Sequence, residues 1–110
     1  MAPQIIFGTA SFGMAGTEFQ DVDSVDRLLR TLMGLGIQRL DSGARYPPTK
    51  PGRAEQLIGE ARETSKEFII DTKVFTDTST DGSGDLTAEA IQKSITDRLE
   101  RLQRPEGVCV

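Results

Sequence analysis

The chain has 110 residues, a net charge of −4, 36% hydrophobic residues and 27% charged residues, which is the composition of one small globular domain. The negative charge argues against a nucleic-acid partner and against binding to an anionic membrane surface. No apolar run reaches membrane-spanning length. The sequence contains no histidine, so histidine-based catalysis and histidine metal ligation are excluded within it.

Two further features of the sequence concern the cellular compartment. The N-terminus has neither the basic segment nor the apolar core of a signal peptide. Cys109 is the only cysteine, so no disulfide can form within the chain. We therefore expect a cytoplasmic protein.

Short apolar runs with the composition of strands alternate with segments of helical periodicity. The predicted strands lie at residues 5–7, 37–40 and 68–74, with the start of a fourth at 108–110. A first helix is predicted after Asp23 and Ser24, its candidate N-caps, and ends at Gly34 and Gly36.

A second helix is predicted at residues 54–63, and a third between Thr87, which can cap it, and Pro105, which stops it. The predicted apolar face of the third helix consists of Ile91, Ile95, Leu99 and Leu102. The resulting order, β-α-β-α-β-α, indicates parallel strands with helical crossovers. Three such units make either a small open sheet or the first part of a barrel, which takes about 250 residues.

The glycine-rich stretch FGTASFGMAG, residues 7–16, follows the first strand. Its glycine spacing matches neither G-x-G-x-x-G nor a P-loop, so a phosphate-binding loop is disfavoured. A flexible connection that lets a ligand approach the backbone is the favoured interpretation.

The polar stretch at residues 77–88 resembles a calcium-binding loop at its first six positions, which include Asp77 and Gly82. The twelfth position requires a bidentate acid, and here it is Ala88. We therefore predict a solvated loop and no metal site.

The stretch LDSGARYPP, residues 40–48, contains the candidate site residues Asp41 and Tyr46. Asp41 ends the second predicted strand and Lys73 lies at the end of the third. Parallel strands bring such residues to the carboxyl edge of the sheet, where ligands bind in α/β folds. If both face one side, they form an ion pair, and a nearby ammonium stabilises a phenolate, so Tyr46 could act as a general acid toward a carbonyl oxygen.

The spacing of these residues is also compatible with a purely structural role. In that interpretation Asp41 caps a loop, Tyr46 packs on the prolines and Lys73 is solvated. Spacing alone favours the structural interpretation.

Three stretches in register resemble the N-terminal part of the aldo-keto reductases, and their nearest branch is the aflatoxin-aldehyde-reductase-like group. They are FGTASFG, LDSGARYPPTKPGRAEQLIGEA and FIIDTKVF, and the resemblance runs from residue 5 to residue 104. The Asp-x4-Tyr element followed by Gly-x-x-Glu-x-x-x-Gly and the lysine of the third strand carry its specificity.

The resemblance implies a (β/α)8 barrel that transfers hydride from NADPH to a small aldehyde or ketone. It implies that Tyr46 is the proton donor, that Lys73 favours its ionised form, and that Asp41 pairs with Lys73 near the nicotinamide ribose. It also implies that the strand-one turn lies against the cofactor; this turn consists of Gly8, Thr9 and Ala10.

Family members have a histidine after the fourth strand, where this sequence runs RPEGVCV. We therefore expect residues 1–110 to be a partial aldo-keto reductase domain, the first three βα units of a truncated barrel, that is inactive alone. The alternative is a non-catalytic product that acts, if at all, as a binding or interaction module. In either case the open barrel edges would favour self-association.

Overall fold

Three parallel strands and four helices make up the described part of the chain, residues 3–74, 84 and 86–104 of this computed structural model. The strands are β1 (Ile6–Gly8), β2 (Arg39–Asp41) and β3 (Ile69–Asp71). The helices are α1 (Val22–Gly34), α2 (Arg53–Glu60), α3 (Arg62–Ser65) and α4 (Ala88–Leu102). The predicted alternation of strands and helices is confirmed within these residues, although each strand is short and its bounds differ from the predicted ones by up to three residues.

The strand order in the sheet is β1-β2-β3, and both pairs are parallel. Side chains alternate between the two faces of a strand. Leu40 and Ile70, at the centres of their strands, are buried beneath the helices. The residues before and after them, Arg39, Asp41, Ile69 and Asp71, point to the other face, which also carries Ile6 of β1 and is only partly covered.

The hydrophobic core lies between the sheet and the helices and is built by all three strand–helix units. Its apolar members are Phe12, Val25, Leu29, Leu32, Leu40, Ala54, Leu57, Ile58, Ala61, Phe68, Ile70 and Leu102. Within the described residues no helix is long and apolar enough to cross a membrane.

The N-terminus of α1 differs from the prediction. The N-cap is Asp21, whose carboxylate accepts a hydrogen bond from the Ser24 backbone N–H at 2.8 Å. The Ser24 hydroxyl in turn accepts from the Asp21 N–H at 3.4 Å, which completes a capping box. Ser24 is thus the third residue of the helix, and the prediction of Asp23 or Ser24 as N-cap was wrong.

The second predicted helix is interrupted at Ala61, where ψ is 40° and the backbone leaves the helical region. The short helix α3 begins after Ala61, and the Ala61 carbonyl accepts from the N–H groups of Thr64 and Ser65 in that helix. No glycine or proline stands at the break, so residue type gives no local signal for it.

Helix α4 begins after Thr87, whose hydroxyl accepts from the Ala90 N–H at 3.2 Å, as predicted. Its fully buried residues are Ser94, Arg98 and Leu102. The predicted apolar face is therefore wrong in part, because Ile91, Ile95 and Leu99 are only half-buried. The helix instead turns Arg98 toward a buried carboxylate of α2.

Several predicted features lie outside the described residues. They are most of the predicted solvated loop (residues 77–83 and 85), the helix stop at Pro105, the fourth strand and Cys109.

Candidate active site

Asp41 lies at the carboxyl end of the central strand and its backbone is fixed from both neighbouring strands. Its carbonyl oxygen accepts from the N–H and from the hydroxyl of Thr9, both at 3.0 Å. The next N–H, that of Ser42, donates to the Asp71 carbonyl at 2.8 Å. The Asp41 side chain is thereby held at the edge where the chain leaves the sheet.

Lys73 extends from the segment after β3 toward β2, and its ammonium binds both carboxylate oxygens of Asp41. Its Nζ lies 2.9 Å from Oδ1 and 2.9 Å from Oδ2, and it donates to the Ser42 carbonyl at 2.7 Å. Partial burial lowers the pKa of Lys73, but hydrogen bonding to Asp41 and Tyr46 together with the Asp41 charge outweighs it, so the pKa is raised. The ammonium therefore stays charged near neutral pH.

Tyr46 stands beside this ion pair, and the Lys73 ammonium lies 4.9 Å from the centroid of its ring. Two backbone hydrogen bonds hold the tyrosine. Its N–H donates to the Gly43 carbonyl at 3.2 Å, and its carbonyl accepts from the Ala54 N–H at 3.1 Å. The structure thus brings Asp41, Tyr46 and Lys73 together, with Asp41 and Lys73 facing one side of the sheet, which was the condition for the expected ion pair.

Tyr46 and Lys73 line one cavity of about 360 Å³ at this edge. The other lining residues are Gly43, Ala44, Arg45, Pro48 and Val74. An acidic hydroxyl group, a fixed ammonium and an open cavity are the parts that general-acid chemistry on a small carbonyl compound requires.

A model of the Aldo/keto reductase family matches residues 4–106, nearly the whole chain. The chain belongs to the aldo/keto reductase family. No curated protein matches the chain significantly.

Solved aldo-keto reductases share the fold of this chain. The AKR11C1 protein from Bacillus halodurans, in its holo form, is 28% identical with a TM-score of 0.67, and the match covers 91% of this chain and 32% of that one. PA4992 from Pseudomonas aeruginosa, assigned to the same family, is 26% identical with a TM-score of 0.69, and the match covers 89% of this chain and 37% of that one. A Klebsiella pneumoniae aldo-keto reductase in complex with NADPH is 20% identical, with a TM-score of 0.62 and coverages of 92% and 31%, and shows the fold alone.

The chain therefore spans about a third of the length of these aldo-keto reductases, between 31% and 37%. Its three strands and their helices match the N-terminal part of a (β/α)8 barrel, and the sheet is open. The predicted fold class is confirmed.

The residues that the resemblance assigns to the cofactor lie next to Asp41, but they differ in exposure. Gly8 is the register partner of Asp41 and is exposed, and a Cβ added to it would meet nothing within 4 Å. Ala10 is also exposed, whereas Thr9 is buried and its hydroxyl is used by the Asp41 carbonyl. The open side of the turn is thus formed by Gly8 and Ala10, and Thr9 supports the strand end.

This edge of the sheet offers two features that a nicotinamide cofactor such as NADPH needs, which are free space and a hydrogen-bond acceptor. Gly8 leaves free space beside Asp41, Ala10 is exposed, and the Asp41 carboxylate is partly exposed and can accept from a ligand hydroxyl. Among the described residues no group of three histidine, cysteine or acidic residues could hold a metal ion.

Sequence reasoning missed the buried charges that support the site. Glu55 of α2 is fully buried and pairs with Arg98 and Arg101 of α4. The carboxylate and its partners are 43 and 46 positions apart in the chain, so no local spacing connects them. One sequence signal was available: Ser94 and Arg98 stand four residues apart in α4, and burial of that stripe requires a buried acid elsewhere.

Proposed function

We propose that the chain carries the proton-donating part of the active site of an NADPH-dependent aldo-keto reductase, which reduces aldehydes or ketones to alcohols. The observation that carries the proposal is the Lys73 ammonium, held between the Asp41 carboxylate at 2.9 Å and the Tyr46 ring at 4.9 Å. Family membership supports the reaction class. Residues 40–61 and the strand-three lysine further support an assignment to the aflatoxin-aldehyde-reductase-like branch.

The proposed reduction needs a hydride, a proton and a source that restores the proton. NADPH, when bound, supplies the hydride to the carbonyl carbon. The Tyr46 hydroxyl donates its proton to the carbonyl oxygen and becomes a phenolate, which Lys73 stabilises by its charge. Asp41 holds the Lys73 ammonium toward the ring, and Gly8 and Ala10 leave room for the cofactor beside it. Water then returns a proton to Tyr46.

We further propose that the 110-residue chain does not turn over alone. The described strands form an open sheet, and the described residues that line the cavity beside Tyr46 all come from the segments that follow β2 and β3. The sequence also contains no histidine, whereas the family pattern places one after the fourth strand. Both features support a site that needs further βα units.

A second candidate function is that of an interaction module, which acts in the cytoplasm without catalysis. The exposed apolar side chains Ile5, Ile6 and Ile69 at the two outer strands favour it. Such edges associate with other strands, so the partner would be a second copy or the complementary part of a barrel.

A chimera tests the reductase proposal. Residues 5–104 of this chain replace the structurally matching part of the Bacillus halodurans reductase, whose fold they share with a TM-score of 0.67. NADPH consumption is then measured with a simple aldehyde. We expect turnover that depends on Tyr46, and a folded chimera that binds NADPH without turnover would refute the proposal.

A further inference from the structure

Glu55 is a buried carboxylate whose two oxygens are both fully used. Oε1 accepts from Nε and Nη2 of Arg101 at 3.1 and 2.8 Å. Oε2 accepts from the Thr72 hydroxyl at 2.9 Å and lies 3.5 Å from Nε of the buried Arg98. Burial removes a carboxylate from water at a large cost, which such cations and hydrogen-bond donors offset. Glu55 therefore joins α4 to the residue that follows β3.

Thr72 immediately precedes Lys73, and the two side chains point to opposite faces of the extended chain. Thr72 points to the helices and Glu55, and Lys73 points to the open face and Asp41. Among the residues that the structure describes, the backbone pairing of β2 with β3 ends at the Ser42 N–H and the Asp71 carbonyl. Beyond that point, the Glu55–Thr72 hydrogen bond holds the backbone from which Lys73 extends.

Ala54, the residue before Glu55, is bound to the segment that carries Tyr46. The Ala54 N–H donates to the Tyr46 carbonyl at 3.1 Å. Two consecutive residues in the first turn of α2 thus bind the segment that carries Tyr46 and the segment that carries Lys73. Both segments are thus attached to the first turn of the same helix.

We propose that Glu55 is a positioning residue for the Lys73–Tyr46 pair, acting through the Thr72 hydroxyl. The proposal rests on the proposed function, in which this pair donates the proton. Arg101 and Arg98 bind the Glu55 carboxylate from α4, so the orientation of α4 is transmitted through Glu55 and Thr72 to Lys73. A change in α4 would then displace the ammonium without touching it.

The test reads the position of Lys73 by NMR on the full 110-residue chain labelled in its lysine side chains. Tyr46 is the only tyrosine, and the sequence has four lysines and no tryptophan. Because the Lys73 ammonium lies 4.9 Å from the ring centroid, the methylene beside it is expected to carry a ring-current shift. Tyr46→Leu removes that shift and identifies the signal, whereas Tyr46→Phe retains the ring and keeps it.

The variants Thr72→Val and Thr72→Ala lack the hydroxyl, and Thr72→Ser retains it. We expect both hydroxyl-free variants to lose at least half of the Lys73 shift while the amide dispersion and the other lysine signals stay unchanged. Thr72→Ser should keep the shift. A folded hydroxyl-free variant with an unchanged Lys73 signal would overturn the proposal, and so would a general loss of amide dispersion in both, since that indicates a structural role only.

The signal is read without cofactor or substrate, so it separates the two proposals. An unchanged Lys73 signal in the hydroxyl-free Thr72 variants would refute the positioning role of Glu55 without contradicting the proposed reaction. A folded chimera that binds NADPH without turnover would refute the proposed reaction without contradicting the measured link between Thr72 and Lys73.

Discussion

The Lys73 ammonium lies 2.9 Å from each carboxylate oxygen of Asp41, across the gap between two parallel strands. The two residues are 32 positions apart in the chain, and Asp41 is the register partner of Asp71, two residues before Lys73. The pair therefore depends on the sheet, and it places a fixed cation beside the only tyrosine of the sequence.

Asp41→Asn should lower the pKa of Lys73. Folding raises this pKa above its usual 10.5, so the contribution of the pair to stability is present below the unfolded value and is lost as pH rises through the folded one. The variant should be less stable than the parent near neutral pH, and the difference should shrink above about pH 10.5. Lysine side-chain NMR gives the pKa, and an unchanged value would show that the pair does not form in solution.

Gly59→Ala should destabilise the chain strongly. A Cβ at Gly59 would stand 2.0 Å from the Arg101 carbonyl oxygen and 2.9 Å from two backbone atoms of Leu102, where α2 crosses α4. Backbone cannot yield as a flexible side chain can, so we expect a loss of about 3 kcal/mol, at the upper end of the overpacking range. Urea unfolding measures it.

Gly34→Ala is the matched control for Gly59→Ala, because Gly34 also lies in a helix and a Cβ there would meet nothing within 4 Å. We expect it to be neutral or stabilising by up to about 1 kcal/mol, since alanine is the better helix former. Equal effects at the two positions would contradict the close crossing of α2 and α4.

The open sheet should make the isolated chain self-associate. Ile6 and Ile69 are 49% and 47% exposed on the partly covered face of the two outer strands. Sedimentation should show a mass that rises with concentration, and Ile69→Lys should reduce it. Leu35→Lys, at an exposed position beyond the end of α1, should leave it unchanged. A stable monomer with well-protected strand amides would argue against the open edges.

The isolated chain should not oxidise NADPH in the presence of a simple aldehyde. The proposed reason is that the site needs further βα units, since the Asp41–Lys73 ion pair itself is formed. The measurement compares the parent chain with Tyr46→Phe, and both should stay at the background rate. Turnover that disappears in Tyr46→Phe would show that these three βα units suffice.

The sequence predicted the strand–helix order, which follows from local periodicity. It placed Asp41 and Lys73 at the same edge of the sheet through the geometry of parallel strands, but spacing alone favoured a solvated Lys73 over the ion pair that the structure contains. It did not predict the first N-cap, since three of four consecutive residues, Asp21, Asp23 and Ser24, can cap a helix. Asp21 is the N-cap because the backbone is still extended there and becomes helical at Val22. The local pattern cannot decide among equally suitable side chains.

The buried face of α4 could not be predicted for a different reason. Hydrophobicity favours Ile91, Ile95 and Leu99, but the burial of Glu55 requires cations, and Arg98 and Arg101 supply them from that helix. The choice of face thus depends on a charge on another helix. The Ser42 carbonyl, which accepts from Lys73, was missed because backbone groups carry no sequence signal.

The central claim is that Tyr46, held beside Lys73 and Asp41, is the proton donor of a carbonyl reductase. It is tested most directly by steady-state NADPH consumption in the chimera that carries residues 5–104, with and without Tyr46→Phe. We expect the substitution to lower kcat by about 100-fold or more, the usual contribution of a general acid, and to leave NADPH binding unchanged. A Tyr46→Phe chimera that retains the full kcat would contradict the claim.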